Sequence, residues 1–88
     1  MKTQITHRLV GYDQRSGQVA VEHPIPPRHF AVAKTIAGVG FDDSDAALCY
    51  KLNKHQAREI AGAIGAAIDA DALNFYMEGF AEPVRARA

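Results

Sequence analysis

The chain has 88 residues, with ten basic and ten acidic side chains and a formal net charge of zero. This length is short for two independently folded cores, and 48% hydrophobic residues in patterned groups predict one folded domain. The balanced charge lacks the basic excess typical of nucleic-acid binders, and no apolar run approaches the roughly 20 residues that span a bilayer. We therefore expect neither nucleic acid nor a membrane as a partner.

A single cysteine, Cys49, rules out an internal disulfide framework and is typical of a reducing compartment. The first residues, Met1 to Arg8, contain no apolar segment of the kind that starts a secretory signal. The sequence therefore predicts a cytoplasmic protein whose stability comes from packing.

The first predicted feature along the chain is a β-hairpin. Residues 6–12 are rich in strand formers, and residues 18–24 alternate between apolar and polar side chains. The polar segment 13–17 between them ends in glycine, which suits a hairpin loop.

The hairpin register decides which side chains share a face. If residues 14–17 form the loop, Tyr12 lies opposite Val19 and Val10 lies opposite Val21. These four apolar side chains would then form one face of the hairpin. A shift by one residue would rearrange both faces, because side chains alternate along a strand with period two.

A helix and a third strand follow the hairpin. Pro27 suits the first turn of a helix, and apolar residues then recur at helical spacing up to a pair of glycines, which predicts a helix over residues 27–37. Residues 47–52 alternate as in a strand. Asn53 can then cap a second helix, with Gln56 returning a hydrogen bond in a capping box.

The second helix has the clearest periodic pattern in the chain. Its apolar positions form one stripe from Ala57 to Ile68, with Gly62 and Gly65 inside the helix. We interpret these glycines as sites where the helix approaches the sheet closely. Residues 73–80 satisfy both a strand period and a helix period, and we favour a strand because aromatic residues dominate.

Together these elements predict an α+β fold with the order β-β-α-β-α-β. We expect a small mixed four-stranded sheet with both helices packed on one face, and a right-handed crossover if the last two strands are parallel neighbours. Residues 1–81 form a single domain in this interpretation. Residues 82–88 lack an apolar pattern and are expected to form a flexible C-terminal tail.

No spacing in the chain matches a common catalytic or metal-binding motif. His7, His23 and His29 would converge only if the hairpin register slips, and partly exposed histidines are the simpler interpretation. Cys49 in an alternating strand is typical of a small buried side chain rather than a reactive thiol. The acidic segment 42–45 lacks the glycine and glutamate of a calcium loop. We therefore predict no catalytic residue, no metal and no cofactor, and an enzyme is the third alternative after the two binding hypotheses below.

The first functional hypothesis is a non-catalytic protein-interaction or accessory domain. Two helices on one side of a four-stranded sheet leave the opposite face to be covered, and an exposed apolar face marks an interface. We expect a protein partner or self-association, such as a homodimer, through a face that contains some of Leu9, Ala20, Ala47 and Cys49.

The alternative hypothesis is a domain that binds a small anionic ligand at its helix starts. Helix N-termini attract anions through free N–H groups and the helix dipole. Arg28, Lys54, His55 and Arg58 lie at or near the two predicted starts, which would have to converge. Because no glycine-rich phosphate loop precedes either helix, ordinary capped ends with exposed basic residues are the simpler interpretation.

Overall fold

The structure, a computed structural model, describes residues 3–40, 46 and 49–83. Within these residues the elements follow the predicted order, and the α+β class is confirmed. The elements are β1 (Thr3–Asp13), β2 (Val19–Ile25), α1 (Phe30–Ala37), β3 (Cys49–Lys51), α2 (Lys54–Ile64) and β4 (Leu73–Pro83), with a 3₁₀ turn (Pro27–His29) before α1.

The four strands form one sheet in the order β2-β1-β4-β3. Every neighbouring pair is antiparallel, so the sheet is not mixed as expected from the sequence. β3 and β4 are neighbours, but the parallel crossover does not occur because they run in opposite directions.

The direction of β4 follows from the place where α2 ends. Gly65 adopts a left-handed conformation with φ 74° and stops the helix before the expected end at Ile68. The 11 residues of α2 carry the chain about 16 Å along the sheet. Segment 66–72 then brings it back, since Lys54 Nζ at the start of α2 lies 2.9 Å from Asp71 Oδ1. β4 therefore begins at the end of the sheet where β3 finishes.

The hairpin has the predicted loop but contains a bulge. The Asp13 N–H group donates to the Gln18 carbonyl at 2.8 Å, and Tyr12 pairs with Val19 as expected. The register then shifts by one residue between Gly11 and Tyr12. The extra residue is Ala20 of β2, which has no partner on β1. An extra residue of this kind is a β-bulge, and every pair beyond it is shifted by one residue.

The bulge overturns the predicted faces of the hairpin. Val10 pairs with Glu22 instead of Val21, and Val21 pairs with Gly11. Val21 therefore lies on the same face as Gly11 and Leu9, away from Val10. The expectation that Val10 and Val21 share an apolar face is wrong, because strict alternation contains no signal for an inserted residue.

The core lies between the two helices and the sheet face that carries Leu9. Ala33 of α1 and Ile60 of α2 both belong to this core, so the two helices pack on the same face of the sheet as predicted. The buried core residues are Leu9, Ile25, Ala33, Ala46, Leu52, Ala57, Ile60, Ala61, Phe75 and Met77.

Gly11 allows three neighbouring side chains to close over β1. A methyl group at this position would lie 2.8 Å from both Phe75 Cε1 and Val21 Cγ2, and 2.9 Å from Leu73 Cδ1. These separations are shorter than ordinary van der Waals contact between carbon atoms. The packing beside the bulge therefore requires glycine.

The start of α2 has the predicted capping box. Gln56 N–H donates to Asn53 Oδ1 and Asn53 N–H donates to Gln56 Oε1, both at 2.8 Å. The Gln56 side chain also donates from Nε2 to the Ile36 carbonyl at 3.0 Å. The start of α2 therefore lies beside the end of α1.

The last two strands differ in extent from the predictions. Residues 73–80, which suited either a strand or a helix, lie in β4, and this strand continues to Pro83, past the expected domain boundary at residue 81. β3 is shorter than the predicted strand 47–52, whose first two residues lie outside the described residues. Residues 84–88 of the expected tail also lie outside them.

Candidate functional site

The sheet face opposite the helices carries a mixture of aromatic, charged and small side chains. Residues that pair across neighbouring strands share a face, so the register assigns its members. We call this surface the open face. Its members are Thr6, Arg8, Val10, Tyr12, Val19, Glu22, Pro24, Cys49, Lys51, Asn74, Tyr76, Glu78 and Phe80. The buried residues of α1 and α2 belong to the core on the other face.

Val10 lies in the middle of the open face and is nevertheless only 1% exposed. It is outside the core cluster, and its register partners are Glu22 and Tyr76. Larger side chains of the open face itself must therefore cover it. The middle of this face is a small apolar centre with polar and aromatic groups around it.

One half of the open face contains an arginine between an aromatic ring and a carboxylate. The guanidinium carbon of Arg8 lies 4.3 Å from the centroid of the Phe80 ring. Its Nη1 atom lies 3.2 Å from Glu22 Oε1. Guanidinium groups combine these two interactions readily, because they are planar, charged and weakly hydrated.

The other half of the open face contains two tyrosines and a carboxylate. The rings of Tyr12 and Tyr76 meet edge to face, with centroids 5.4 Å apart and an angle of 87° between their planes. The Tyr12 hydroxyl donates a hydrogen bond to Glu78 Oε2. Cys49 is the register partner of Glu78 on β3.

A cavity of about 410 Å³ opens between this second half and the hairpin loop. Its sheet side is formed by Tyr12, Cys49, Asn74, Tyr76 and Glu78. Its rim is formed by residues 13–17 of the loop. We call this cavity, together with the residues that line it, the hollow.

The loop at the rim of the hollow is held by Asp13. Its Oδ1 atom accepts hydrogen bonds from the N–H groups of Arg15 and Ser16, both at 2.8 Å. These two bonds hold the pKa of the Asp13 carboxyl below its ordinary value. Gly17 takes the left-handed conformation, φ 71°, that closes the loop. The rim therefore has a defined shape.

Glu78 raises the pKa of two groups in the hollow. The pKa of Tyr12 is raised to about 12, chiefly because its hydroxyl donates to Glu78, with smaller contributions from burial and from the negative charge of Glu78. Burial, followed by the charge of Glu78, raises the pKa of the Cys49 thiol. A nucleophilic cysteine needs a lowered pKa. The hollow therefore suits the binding of a positive group better than nucleophilic chemistry.

Residues 6–78 match the protein family described as Domain of unknown function (DUF7683), a range that covers most of the chain. The chain belongs to this family. Comparisons with curated proteins and with solved structures give no significant match. The range that matches the DUF7683 family includes every residue that lines the hollow. Neither α1 nor α2 has the length and apolar character that a membrane-crossing helix requires.

Three of the four basic residues proposed for anion binding have acidic partners. Lys54 Nζ and Arg58 Nη2 lie 2.9 and 3.4 Å from the carboxylate of Asp71, and the pKa of Asp71 is lowered chiefly by Lys54. His55 Nε2 lies 2.8 Å from Glu59 Oε1. Asp71 thus brings Lys54 and Arg58 together, and an anion would have to compete with it.

Arg28, the fourth of these residues, contacts the neighbouring His29 side chain at 3.2 Å. It lies before α1, whereas the start of α2 lies beside Ile36 near the other end of α1. The two helix starts therefore lie near opposite ends of α1 and do not converge as the hypothesis requires. Anion binding by this set of residues stays a prediction without that support.

The residues expected on an interaction face are distributed differently. Leu9 is fully buried in the core, so its assignment to the exposed face is wrong, because the helices cover the face of β1 that carries Leu9 and not the face that carries Val10. Cys49 is exposed and belongs to the open face, although an alternating strand favours a buried cysteine. Ala20, the bulge residue, is exposed. Ala47 lies outside the described residues.

The slipped register that would pair His7 with His23 does not occur. His7 pairs with Ile25, and its ring stacks on Phe30 with centroids 4.3 Å apart. Among the described residues no three or more histidine, cysteine, aspartate or glutamate side chains are grouped so as to hold a metal ion. The acidic segment 42–45 lies outside the described residues.

Sequence reasoning missed the main residues of the hollow, although a signal for them was present. In residues 73–80 the apolar side chains at odd positions alternate with Asn74, Tyr76 and Glu78. Once this segment is assigned as a strand, these three residues must share the face opposite the core. Their proximity to Tyr12 follows from the pairing of β1 with β4, which sequence alone did not provide.

Proposed function

We propose that this chain is a non-catalytic interaction domain that binds another protein through the open face. One observation carries the proposal: both helices pack on one side of the sheet, and the opposite side presents aromatic and charged side chains around a defined hollow. Sheets of this kind, with one face on the core, normally leave the other to solvent or to a partner.

The residue types on the open face favour protein recognition. Tyrosine and arginine are enriched among the residues that dominate binding energy at protein interfaces. The open face contains Tyr12, Tyr76 and Arg8, all partly buried by their neighbours and therefore already restricted in conformation. Ordering them on binding would cost less conformational entropy than ordering fully exposed side chains.

The size of the open face favours a modest interface. Strands of 11, 7, 3 and 11 residues, at about 3.4 Å per residue and 4.8 Å between strands, give a flat area of about 500 Å². A standard interface buries about 800 Å² on each partner. We therefore expect a transient complex, and we expect it in the cytoplasm.

Two exposed valines on opposite sides of the molecule allow a matched test. Val19 belongs to the open face and is 51% exposed, whereas Val32 on α1 is 49% exposed. A photo-crosslinking amino acid is introduced at either position in the full chain and irradiated in cells of the source organism. The cross-linked protein is identified by mass spectrometry, purified and tested for binding to the unmodified chain.

We expect one discrete cross-linked product from position 19 that is absent from position 32. The purified partner protein should also bind the unmodified chain directly. Equal products from both positions, or none from position 19, would contradict it. A product that is a dimer of this chain, with a matching mass in sedimentation, would replace the different partner with a second copy.

A further inference from the structure

We infer that the hollow on the open face is a binding site for an arginine side chain presented by the partner protein. This inference rests on the proposed function and specifies the chemistry of the partner. It depends on a comparison between the two halves of the same sheet face, one of which already holds an arginine.

The filled half shows what an arginine site on this sheet requires. Arg8 lies over the ring of Phe80 at 4.3 Å and reaches Glu22 at 3.2 Å. The aromatic ring contributes a negatively polarised face, and the carboxylate contributes the opposite charge. A guanidinium group fits between them because its plane stacks on the ring while its N–H groups point towards the carboxylate oxygens.

The second half repeats these groups around the hollow. Tyr12 and Tyr76 supply two aromatic rings at 87° to each other, and Glu78 supplies the carboxylate. The Tyr12 hydroxyl, a neutral donor, bonds to Glu78, whose register partners on β1 and β3 are Arg8 and Cys49. The Arg8 guanidinium contacts Glu22 and the Phe80 ring. A carboxylate has about four acceptor positions, so Glu78 can accept a guanidinium and keep the Tyr12 donor.

The charges that line the hollow also favour a cation, because Asp13 and Glu78 are acidic and Arg15 is the single basic residue among them. The pKa of Tyr12 is raised chiefly by its hydrogen bond to Glu78 and that of Cys49 chiefly by burial, and the negative charge of Glu78 contributes to both. Asn74, a further lining residue, has an uncharged side-chain amide. The volume of about 410 Å³ exceeds what one guanidinium group needs and leaves room for the stem of the side chain.

A pair of small probes separates charge from shape. N-acetyl-arginine methylamide carries the guanidinium, and N-acetyl-citrulline methylamide has nearly the same shape with a neutral urea group. Both are titrated into the ¹⁵N-labelled full chain and followed by amide chemical shifts. The arginine probe is expected to shift Tyr12, Tyr76 and Cys49 in a saturable manner, and the citrulline probe to leave them in place.

Variants then assign the effect to one carboxylate. Glu78→Gln keeps the shape and removes the charge, and we expect it to weaken binding of the arginine probe about tenfold or more. Glu59→Gln, on the surface of α2, is the control and should bind as the parent does. Tyr12→Phe keeps the ring and the carboxylate, so it should retain binding and show that loss of the Tyr12 hydrogen bond is not the cause.

Several outcomes would overturn the inference. These are equal shifts with both probes, shifts centred outside the hollow, and unchanged binding by Glu78→Gln. Shifts of the same residues that depend on protein concentration without any probe would make a second copy the occupant. If Val19 still cross-links to a partner while the arginine probe does not bind, the proposed function stands and the arginine site is refuted.

Discussion

Gly11→Ala tests the packing around the β-bulge directly. The added methyl group would lie 2.8 to 2.9 Å from three side-chain atoms, on Val21 of β2 and on Leu73 and Phe75 of β4. Overpacking of this kind costs about 1–3 kcal/mol, and replacing glycine in a strand recovers about 0.5–1 kcal/mol. Because the contacts come from strands on both sides of β1, moving one side chain cannot relieve them all. The two ranges leave a net loss of up to about 2.5 kcal/mol in the free energy of unfolding, and three simultaneous close contacts favour the upper half of that range.

Gly62→Ala is the matched control, because a methyl group there would meet no atom within 4 Å. The same is true at Gly65, so the expectation that the helix approaches the sheet closely at these two glycines is wrong. Gly62 lies inside α2, where alanine is favoured over glycine by about 0.5–1 kcal/mol, so we expect stabilisation. Urea unfolding followed by circular dichroism measures both variants against the parent. In a domain of this size 1 kcal/mol corresponds to about 4–8 °C in Tm. A Gly11→Ala variant as stable as the parent would refute the register of the bulge.

Three further substitutions test other parts of the structure. Asn53→Ala should lower the free energy of unfolding by about 0.5–2 kcal/mol in urea, because it removes the capping box of α2. Tyr12 should ionise at about pH 12, and Glu78→Gln should return it towards 10.0, as measured by tyrosinate absorbance. Since unfolded chains release this proton first, the stability contributed by Tyr12 should disappear as pH rises from 10.0 to about 12. Lys54 lowers the pKa of Asp71, so protonation of Asp71 contributes to the loss of stability below pH 3.8. Asp71→Asn should remove this contribution, as measured by urea unfolding at several pH values.

Signals confined to a few neighbouring residues predicted local structure well. The capping box needs only Asn53 and Gln56, and both of its hydrogen bonds are present. The aromatic composition of residues 73–80 correctly favoured a strand over a helix. In each case the deciding interaction is made within the segment itself or follows directly from its side-chain types.

Features that depend on contacts between distant segments were missed. Glycine is required at position 11, beside the bulge, because Val21, Leu73 and Phe75 pack where a side chain would be, and two of these residues lie more than sixty positions away along the chain. Ending α2 at Gly65 lets Ile68 pack against the core from outside the helix. A stripe at helical spacing cannot distinguish an apolar residue within a helix from one just beyond it.

The same limit explains why the open face was only partly predicted. An uncovered sheet face follows from counting helices and strands, and the structure has one. The helices cover the face of β1 that carries Leu9, and the pairing of β1 with β4 places Tyr12 next to Asn74 and Tyr76. The bulge decides only which residues of β2 join the open face. Once the pairing of β1 with β4 is known, the alternating pattern of the sequence assigns the rest.

Stability and binding can be tested separately because they depend on opposite faces of the same sheet. Val21, Phe75 and the helices close the core on one side, whereas Glu78 lies on the other and belongs to no core cluster. Glu78→Gln should therefore bind arginine poorly while unfolding at nearly the same urea concentration as the parent, and Gly11→Ala should do the reverse under conditions where it remains folded. If Glu78→Gln instead unfolds much more readily, its hydrogen bond with Tyr12 has a structural role. Binding must then be judged from Tyr12→Phe, which lacks that bond and keeps the charge.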